Sequence, residues 1–246
     1  MIAEEVNLNE FSNPIFVDFP LRGEWFAPNT PAKRIPSHGT DMLGQRYAFD
    51  FVMAKWTGKK KSFFRGSPLR YYMLGMPLAR WYGWGQNVYA PCDGSILSVK
   101  DGLKERQSVN LIVDLFIAMK NASFFDPNKH DLQTVAGNYI IMKAGEIFVA
   151  LAHFQKDSIC VSEGQQIQAG DLLGKVGHSG NSTAPHLHFQ LMDRPDWLTA
   201  KGLPCAFKRY ERFSRSSWEE VLGGIPSDQD RIRKLDIDTP SSTGNH

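Results

Sequence analysis

The sequence predicts a mainly β fold, an antiparallel sheet or sandwich carrying long loop insertions. Two observations carry this expectation. Short runs of β-branched and aromatic residues recur along the chain, separated by turns marked with Gly, Asp or Pro. The segment His186-Leu187-His188-Phe189-Gln190-Leu191 also alternates polar and apolar residues without a break, the period of a half-buried strand.

The first thirty-five residues mix Pro, Asn and aromatics without helical periodicity and are expected to form an irregular arm packed on the domain. Tyr47 to Val52 follows as a strand. Val88-Tyr89-Ala90-Pro91 leads through Asp93-Gly94 into Ser95 to Val99, two strands around a turn. Tyr139 to Met142 and Ile147 to Leu151 flank Lys143-Ala144-Gly145-Glu146, a hairpin in which Gly supplies the permissive turn conformation. Ile159 to Val176 has the punctuation of short strands joined by tight turns. Ser108 to Lys120 is apolar for long enough that a buried helix and a strand both fit.

The main domain is expected over residues 36–215, with an insertion at about 54–87. That insertion holds Lys59-Lys60-Lys61, Arg65 and Arg70 among aromatics; a solvated surface loop is the plain expectation, contact with an anionic polymer the other. Residues 216–246 form a C-terminal extension that loses apolar density after Trp218 and is expected to end in a disordered tail. No internal repeat is evident.

At 246 residues, 42% apolar and 12% aromatic, the chain can bury a sizeable core. Its 28 basic and 26 acidic residues nearly balance, so net charge points to neither nucleic acid nor a membrane surface. Cys92, Cys160 and Cys205 are odd in number and widely spaced, against a disulfide framework or a thiolate zinc site. No apolar run is long enough for a transmembrane segment, and the acidic Met1 to Asn9 does not resemble a signal peptide.

As a strand, residues 186–191 put His186, His188 and Gln190 on one face. Asp50 interrupts an apolar strand, where an unpaired carboxylate is costly, so it calls for a cation or a hydrogen-bond network. His38 lies upstream in a loop, and His153 ends the apolar run 147–152. A lone His beside apolar residues is most often a satisfied structural group. Imidazole and carboxylate are nevertheless the usual nitrogen and oxygen ligands of zinc, and a catalytic zinc commonly keeps three protein ligands with one position open for water. His130, His178 and His246 sit in polar, Gly-Ser and terminal contexts and are expected to be non-catalytic.

Five motifs resemble the lysostaphin-like zinc endopeptidases, many of which cut peptide cross-links in bacterial cell walls. They are Gly137-Asn138-Tyr139-Ile140-Ile141, Leu151-Ala152-His153-Phe154, Val161-x-x-Gly164-Gln165-x-Ile167-x-Ala169-Gly170-Asp171, Gly174-x-Val176-Gly177-x-Ser179-Gly180-Asn181-Ser182 and Pro185-His186-Leu187-His188-Phe189. Val88 to Gly94 is similar to the family's early strand pair, and the resemblance spans roughly residues 37–192. It implies the duplicated-hybrid type of β core and one Zn2+ held by His38, Asp50 and His188, with His153 and His186 as the catalytic pair. One departure is plain: the family's common motif has His four residues before Asp, where this chain has Arg46, and His38 lies twelve residues before Asp50. The resemblance implies hydrolysis of peptide stems or cross-links of peptidoglycan by a zinc-activated water. The alternative is a silent domain of the same fold that binds cell wall or activates a partner hydrolase. A cell-wall substrate implies a site outside the cytoplasm, in the periplasm or at the cell surface; another peptide leaves a cytoplasmic location open.

Overall fold

The computed structural model describes residues 13–124 and 131–235. Among them, twelve strands join in one sheet. These are β1 (Ile15–Val17), β2 (Trp25–Asn29), β3 (Phe49–Met53), β4 (Gly94–Lys100), β5 (Asn138–Ala144), β6 (Ile147–Phe154), β7 (Gln166–Ile167), β8 (Leu187–Met192), β9 (Gly202–Leu203), β10 (Cys205–Ser214), β11 (Ser217–Gly224) and β12 (Ile232–Arg233). The spatial order is β1-β10-β12-β2-β3-β8-β6-β5-β4-β7, with β9 added to β8 and β11 to β10. The β1–β10 pair is parallel and the other pairs are antiparallel.

The alternation seen in the sequence becomes a division between faces. Phe49 and Phe51 of β3, Leu187, Phe189 and Leu191 of β8, and Val149 and Leu151 of β6 point into one core. A two-stranded sheet of Asn87–Tyr89 and Leu172–Lys175 closes that core with Val88 and Leu173. Aromatic rings lock its centre: Phe19 meets Phe51 edge-on at 5.1 Å and Phe207 at 5.4 Å, while Phe207 also contacts Phe49 and Phe189. The other face carries small residues, Ala150 and Ala152, beside Tyr139, Met192 and Trp197, which leaves room for a cleft.

The hairpin expected over residues 139–151 is the β5–β6 pair. Several local expectations change. The segment before residue 36 contributes β2, which pairs with β3 in the middle of the sheet rather than forming only an irregular arm. Asn87–Tyr89 and β4 are strands of different sheets and do not pair as a turn would suggest. Ser108 to Lys120 is a strand at Ser108–Val109 and then a helix from Leu111, whose described apolar side chains are mostly exposed rather than buried. The insertion holds a hairpin of Lys55–Thr57 with Lys60–Ser62 and helix α1 (Pro68–Leu74); helices α2 (Leu111–Phe124) and α3 (Gln133–Ala136) follow. β11 and β12 fall within the 216–246 extension. The tail expected to be disordered begins beyond the described residues, and His130 and His246 also lie outside them.

Phe207→Ala removes the ring on which four other phenylalanines converge. It should cost about 3–5 kcal/mol of unfolding free energy, read as a lower denaturant midpoint with an unchanged slope.

Candidate metal centre

β3 and β8 are antiparallel neighbours in a register that sets Asp50 opposite His188. With Phe49 and Phe51 turned into the core, Asp50 must face the other way, and the same parity puts His186, His188 and Gln190 beside it. His188 Nδ1 lies 2.9 Å from Asp50 Oδ1, and His186 Nε2 lies 3.4 Å from the same oxygen. His38 Nε2 lies 2.9 Å from Oδ2, which also accepts a 2.8 Å hydrogen bond from Asn29 Nδ2 of β2. These groups line a cleft of about 230 Å³ together with His153 and Trp197.

His153 reaches the cleft through a break in register. Strict alternation from Val149 and Leu151 would turn His153 into the phenylalanine core. Between the pairs Ile140–Leu151 and Asn138–Phe154, however, β6 advances three residues against two on β5. This bulge puts His153 at φ +64°, an uncommon conformation for a residue with a side chain, and it reverses the parity of the strand end. Phe154 joins the core and His153 joins the cleft, its ring 4.5 Å from that of His186 and 6.0 Å from that of His188.

The segment from His38 to Asp50 is packed against the sheet. Ser37 donates its backbone N–H to Arg46 O and its hydroxyl to Gln45 O, which closes the loop on the 3-10 segment Met42–Tyr47. Gly44, at φ +70°, lies so close to β8 that a Cβ would stand 3.0 Å from Gln190 Nε2, so glycine suits both its conformation and its contact. Leu43 O accepts from Gln190 Nε2 at 2.7 Å. That bond orients the Gln190 amide, whose oxygen then takes the N–H of His188 Nε2 at 2.8 Å. Arg46 pairs with Asp41 and does not line the cleft.

The same logic assigns every ring. His153 Nδ1 donates to Ser179 O at 2.9 Å, and His186 Nδ1 donates to Ala184 O at 2.7 Å. The Ser37 hydroxyl, already donating to Gln45 O, accepts from His38 Nδ1 at 3.0 Å. In their neutral forms, His38 Nε2, His188 Nδ1 and His186 Nε2 therefore turn lone pairs toward a carboxylate that also only accepts. Such a cluster needs a positive charge at its centre, as protons or as a metal ion. As protons, the charge is favoured or opposed at each group by its burial and its neighbours. Burial pushes the Asp50 carboxyl up, but His38 and His186 outweigh it and hold it well below the usual carboxylate range. Burial likewise opposes a proton on His186, yet Asp50 raises it above the usual histidine value. Burial, reinforced by His186 and His188, keeps His153 well below that value and neutral. For a metal ion, one ligand atom each from His38, Asp50 and His188 lie within 4.8 Å of one another, and the donor set suits zinc.

The five residues singled out in the sequence thus converge in one cleft. Others went unrecognised there. Asn29 and Gln190 orient Asp50 and His188, and Gln190 was signalled only by its place in the alternation. His178, expected to be an unremarkable loop residue, is fully buried. Its Nδ1 donates to Ser182 Oγ at 3.0 Å, and that oxygen lies 3.1 Å from His186 Nδ1. Arg106 binds the carbonyls of Gly180 and Ser182 and the Nε2 of His178, and is itself held by Asp114 of α2.

Residues 127–199, which carry His153, His186 and His188, match the family described as Peptidase family M23. Over that stretch the chain is similar to the peptidases of that family. It is 34% identical over 59 residues to the peptidoglycan DD-endopeptidase ShyA of Vibrio cholerae, and 32% identical over 73 residues to ShyB of the same organism. Those stretches are 24% and 29% of this chain and only 14% and 17% of the relatives' own lengths. Among solved structures, the catalytic domain of lysostaphin from Staphylococcus simulans aligns at 18% identity, covering 82% of this chain and 95% of that one with a TM-score of 0.33. A zinc-containing peptidase from Vibrio cholerae aligns at 19% identity, with 78% and 39% covered and a TM-score of 0.34.

Two outcomes follow from the hydrogen-bond logic of this site. Gln190→Leu strands Leu43 O and the His188 N–H in a buried setting and should cost about 1–3 kcal/mol in denaturant unfolding. Asp50 titrates lower in the folded protein than in the unfolded chain, so its stabilisation is present above the unfolded value near pH ~3.9 and is lost as pH falls through the folded value. In metal-stripped protein, the acid side of a plot of unfolding midpoint against pH should therefore flatten in Asp50→Asn.

Proposed function

We propose that the cleft holds one zinc ion through His38 Nε2, an Asp50 oxygen and His188 Nδ1, and that the chain hydrolyses peptide bonds in the stems or cross-links of bacterial peptidoglycan. The observation that carries this reading is the convergence of two imidazole lone pairs and a buried carboxylate beside two further imidazoles. The peptidoglycan endopeptidase activity named for the two Vibrio cholerae relatives supports the substrate class.

Zinc bound in such a site lowers the pKa of a water toward neutrality and polarises the scissile carbonyl. The chain's own groups divide the proton transfers. His153 is held neutral, with Nδ1–H committed to Ser179 O, so Nε2 is free to accept a proton from the attacking water. His186, which Asp50 biases toward protonation, presents Nε2–H as the donor to the developing oxyanion and then to the leaving amine. Opposite biases on two adjacent imidazoles support placing base and acid on different rings. Trp197, whose ring lies over His188 at 6.4 Å, walls one side of the cleft and helps exclude bulk water.

Protein purified without chelator should contain one zinc per chain by elemental analysis and should release soluble fragments from purified peptidoglycan. Chelation should abolish that release. His188→Ala should lose the metal, whereas His153→Ala should keep it and lose about 10²–10⁴ in kcat. Metal-free wild-type protein, or a His188→Ala variant as active as the wild type, would overturn the reading. Because His153 is held below its usual value, the acid limb of kcat/KM should lie below pH ~6.5 and should be the limb that disappears in His153→Ala.

A further inference from the structure

Helices α1 and α2, both outside the large sheet, carry apolar side chains that the described residues do not cover. Leu69, Met73 and Leu74 on α1 and Ile112, Phe116 and Met119 on α2 are each between 62% and 73% exposed. Leu69 and Met73 are four residues apart, as are Ile112 and Phe116, with Met119 three further on, so each set lies on one side of its helix. The helices are also tied together. Met76–Pro77, just after α1, pairs with Ser108–Val109, just before α2. Tyr72 of α1 and Leu111 of α2 line a common groove of about 500 Å³ with Lys61. The buried carboxylate of Asp114 anchors α2 inward through Arg106, which leaves the apolar side turned out. Apolar side chains exposed to this extent on two neighbouring helices of a folded chain mark a place of association.

Charge indicates what covers it. Residues 54–87, the segment containing α1, hold seven Lys and Arg and no Asp or Glu. A second copy of the chain laid on this face would bring the same cations together, whereas an anionic surface would neutralise them. At 14 residues α2 is not a span, and no helix among the described residues is long and apolar enough to cross a membrane. Apolar side chains beside a basic cluster are the pattern of helices that lie in the interface of an anionic bilayer. We propose that α1 and α2 dock this chain on an anionic lipid bilayer, with the six apolar side chains at the acyl boundary and Lys59, Lys60, Lys61, Arg65 and Arg70 on lipid phosphates. Thr183 lines both the groove between these helices and the cleft, so docking would hold the cleft close to the membrane surface. The proposal stands independently of the peptidase reading.

The test is co-sedimentation of the full chain with vesicles of phosphatidylcholine alone and of phosphatidylcholine mixed with phosphatidylglycerol, at about 0.15 M salt. Binding should occur on the mixed vesicles only. It should weaken at least about tenfold in Lys59→Glu/Lys60→Glu/Lys61→Glu and again in Ile112→Ser/Phe116→Ser/Met119→Ser. All of these positions are outside the cleft, so both variants should keep the wild-type thermal midpoint and any hydrolysis of soluble cell-wall fragments. Absence of binding to the mixed vesicles would overturn the proposal, as would binding that both variants retain. So would a dimer in sedimentation velocity that the Ile112/Phe116/Met119 variant dissolves, which would identify a second copy as the occupant.

Discussion

The register of β3 against β8 is the constraint on which the rest of the site depends. With Asp50 opposite His188, five phenylalanine and leucine side chains on the same two strands fall into the core and anchor the pair. A slip of one residue would exchange the faces, burying a carboxylate and two imidazoles among phenylalanines and exposing the rings that hold the sheet together. The hydrophobic pattern and the polar cluster are therefore one specification. Phe49, Phe51, Leu187 and Phe189 position the site as firmly as the residues that form it.

Such a cluster is unfavourable on its own terms. Several acceptors converge in a nearly buried cleft, and His153 is held in a left-handed conformation that costs on the order of 1–3 kcal/mol. The surrounding chain sustains it by fixing the outward nitrogen of each ring: Ser37 for His38, Ser179 O for His153, Ala184 O for His186 and Gln190 for His188. Each of these partners sets a tautomer, so the inward lone pairs follow from hydrogen bonds at the back of the rings rather than from the cleft itself. The bulge in β6 belongs to the same arrangement, because it alone brings a fourth imidazole to a face that strict alternation denies it.

The parts legible in the sequence were those governed by local period. Residues 186–191 alternate so cleanly that the shared face of His186, His188 and Gln190 follows directly, and the Gly145 turn marks the hairpin. What stayed hidden depended on contacts far apart in the chain. β2 contains Pro28 and pairs with a strand more than twenty residues later, so nothing local announced it as a central strand. The 108–120 segment fitted both helix and strand because it is a strand end followed by a helix whose apolar side faces outward. His178 looked like a loop residue because Arg106 and Asp114, which bury it, lie some seventy residues upstream. The alternation at residues 147–152 would have pointed His153 into the core; its place at the end of that apolar run and the resemblance marked it as a candidate, and the bulge brings it to the cleft.

The wide spacing of His38 and Asp50 is best understood through chain entropy. Lengthening the loop between two groups from four residues to twelve costs only about 1 kcal/mol of closure free energy. The added residues offset that by packing: Gly44 sits on β8, and Leu43 O orients Gln190, which in turn sets the tautomer of His188. One segment thus delivers His38 to the cleft and prepares the ring opposite. Arg46, standing where a shorter-spaced chain has its histidine, is released to pair with Asp41 on the outside of the loop. A cluster of this kind is specified by where lone pairs meet, and a longer route between them can add the contacts that keep them aimed.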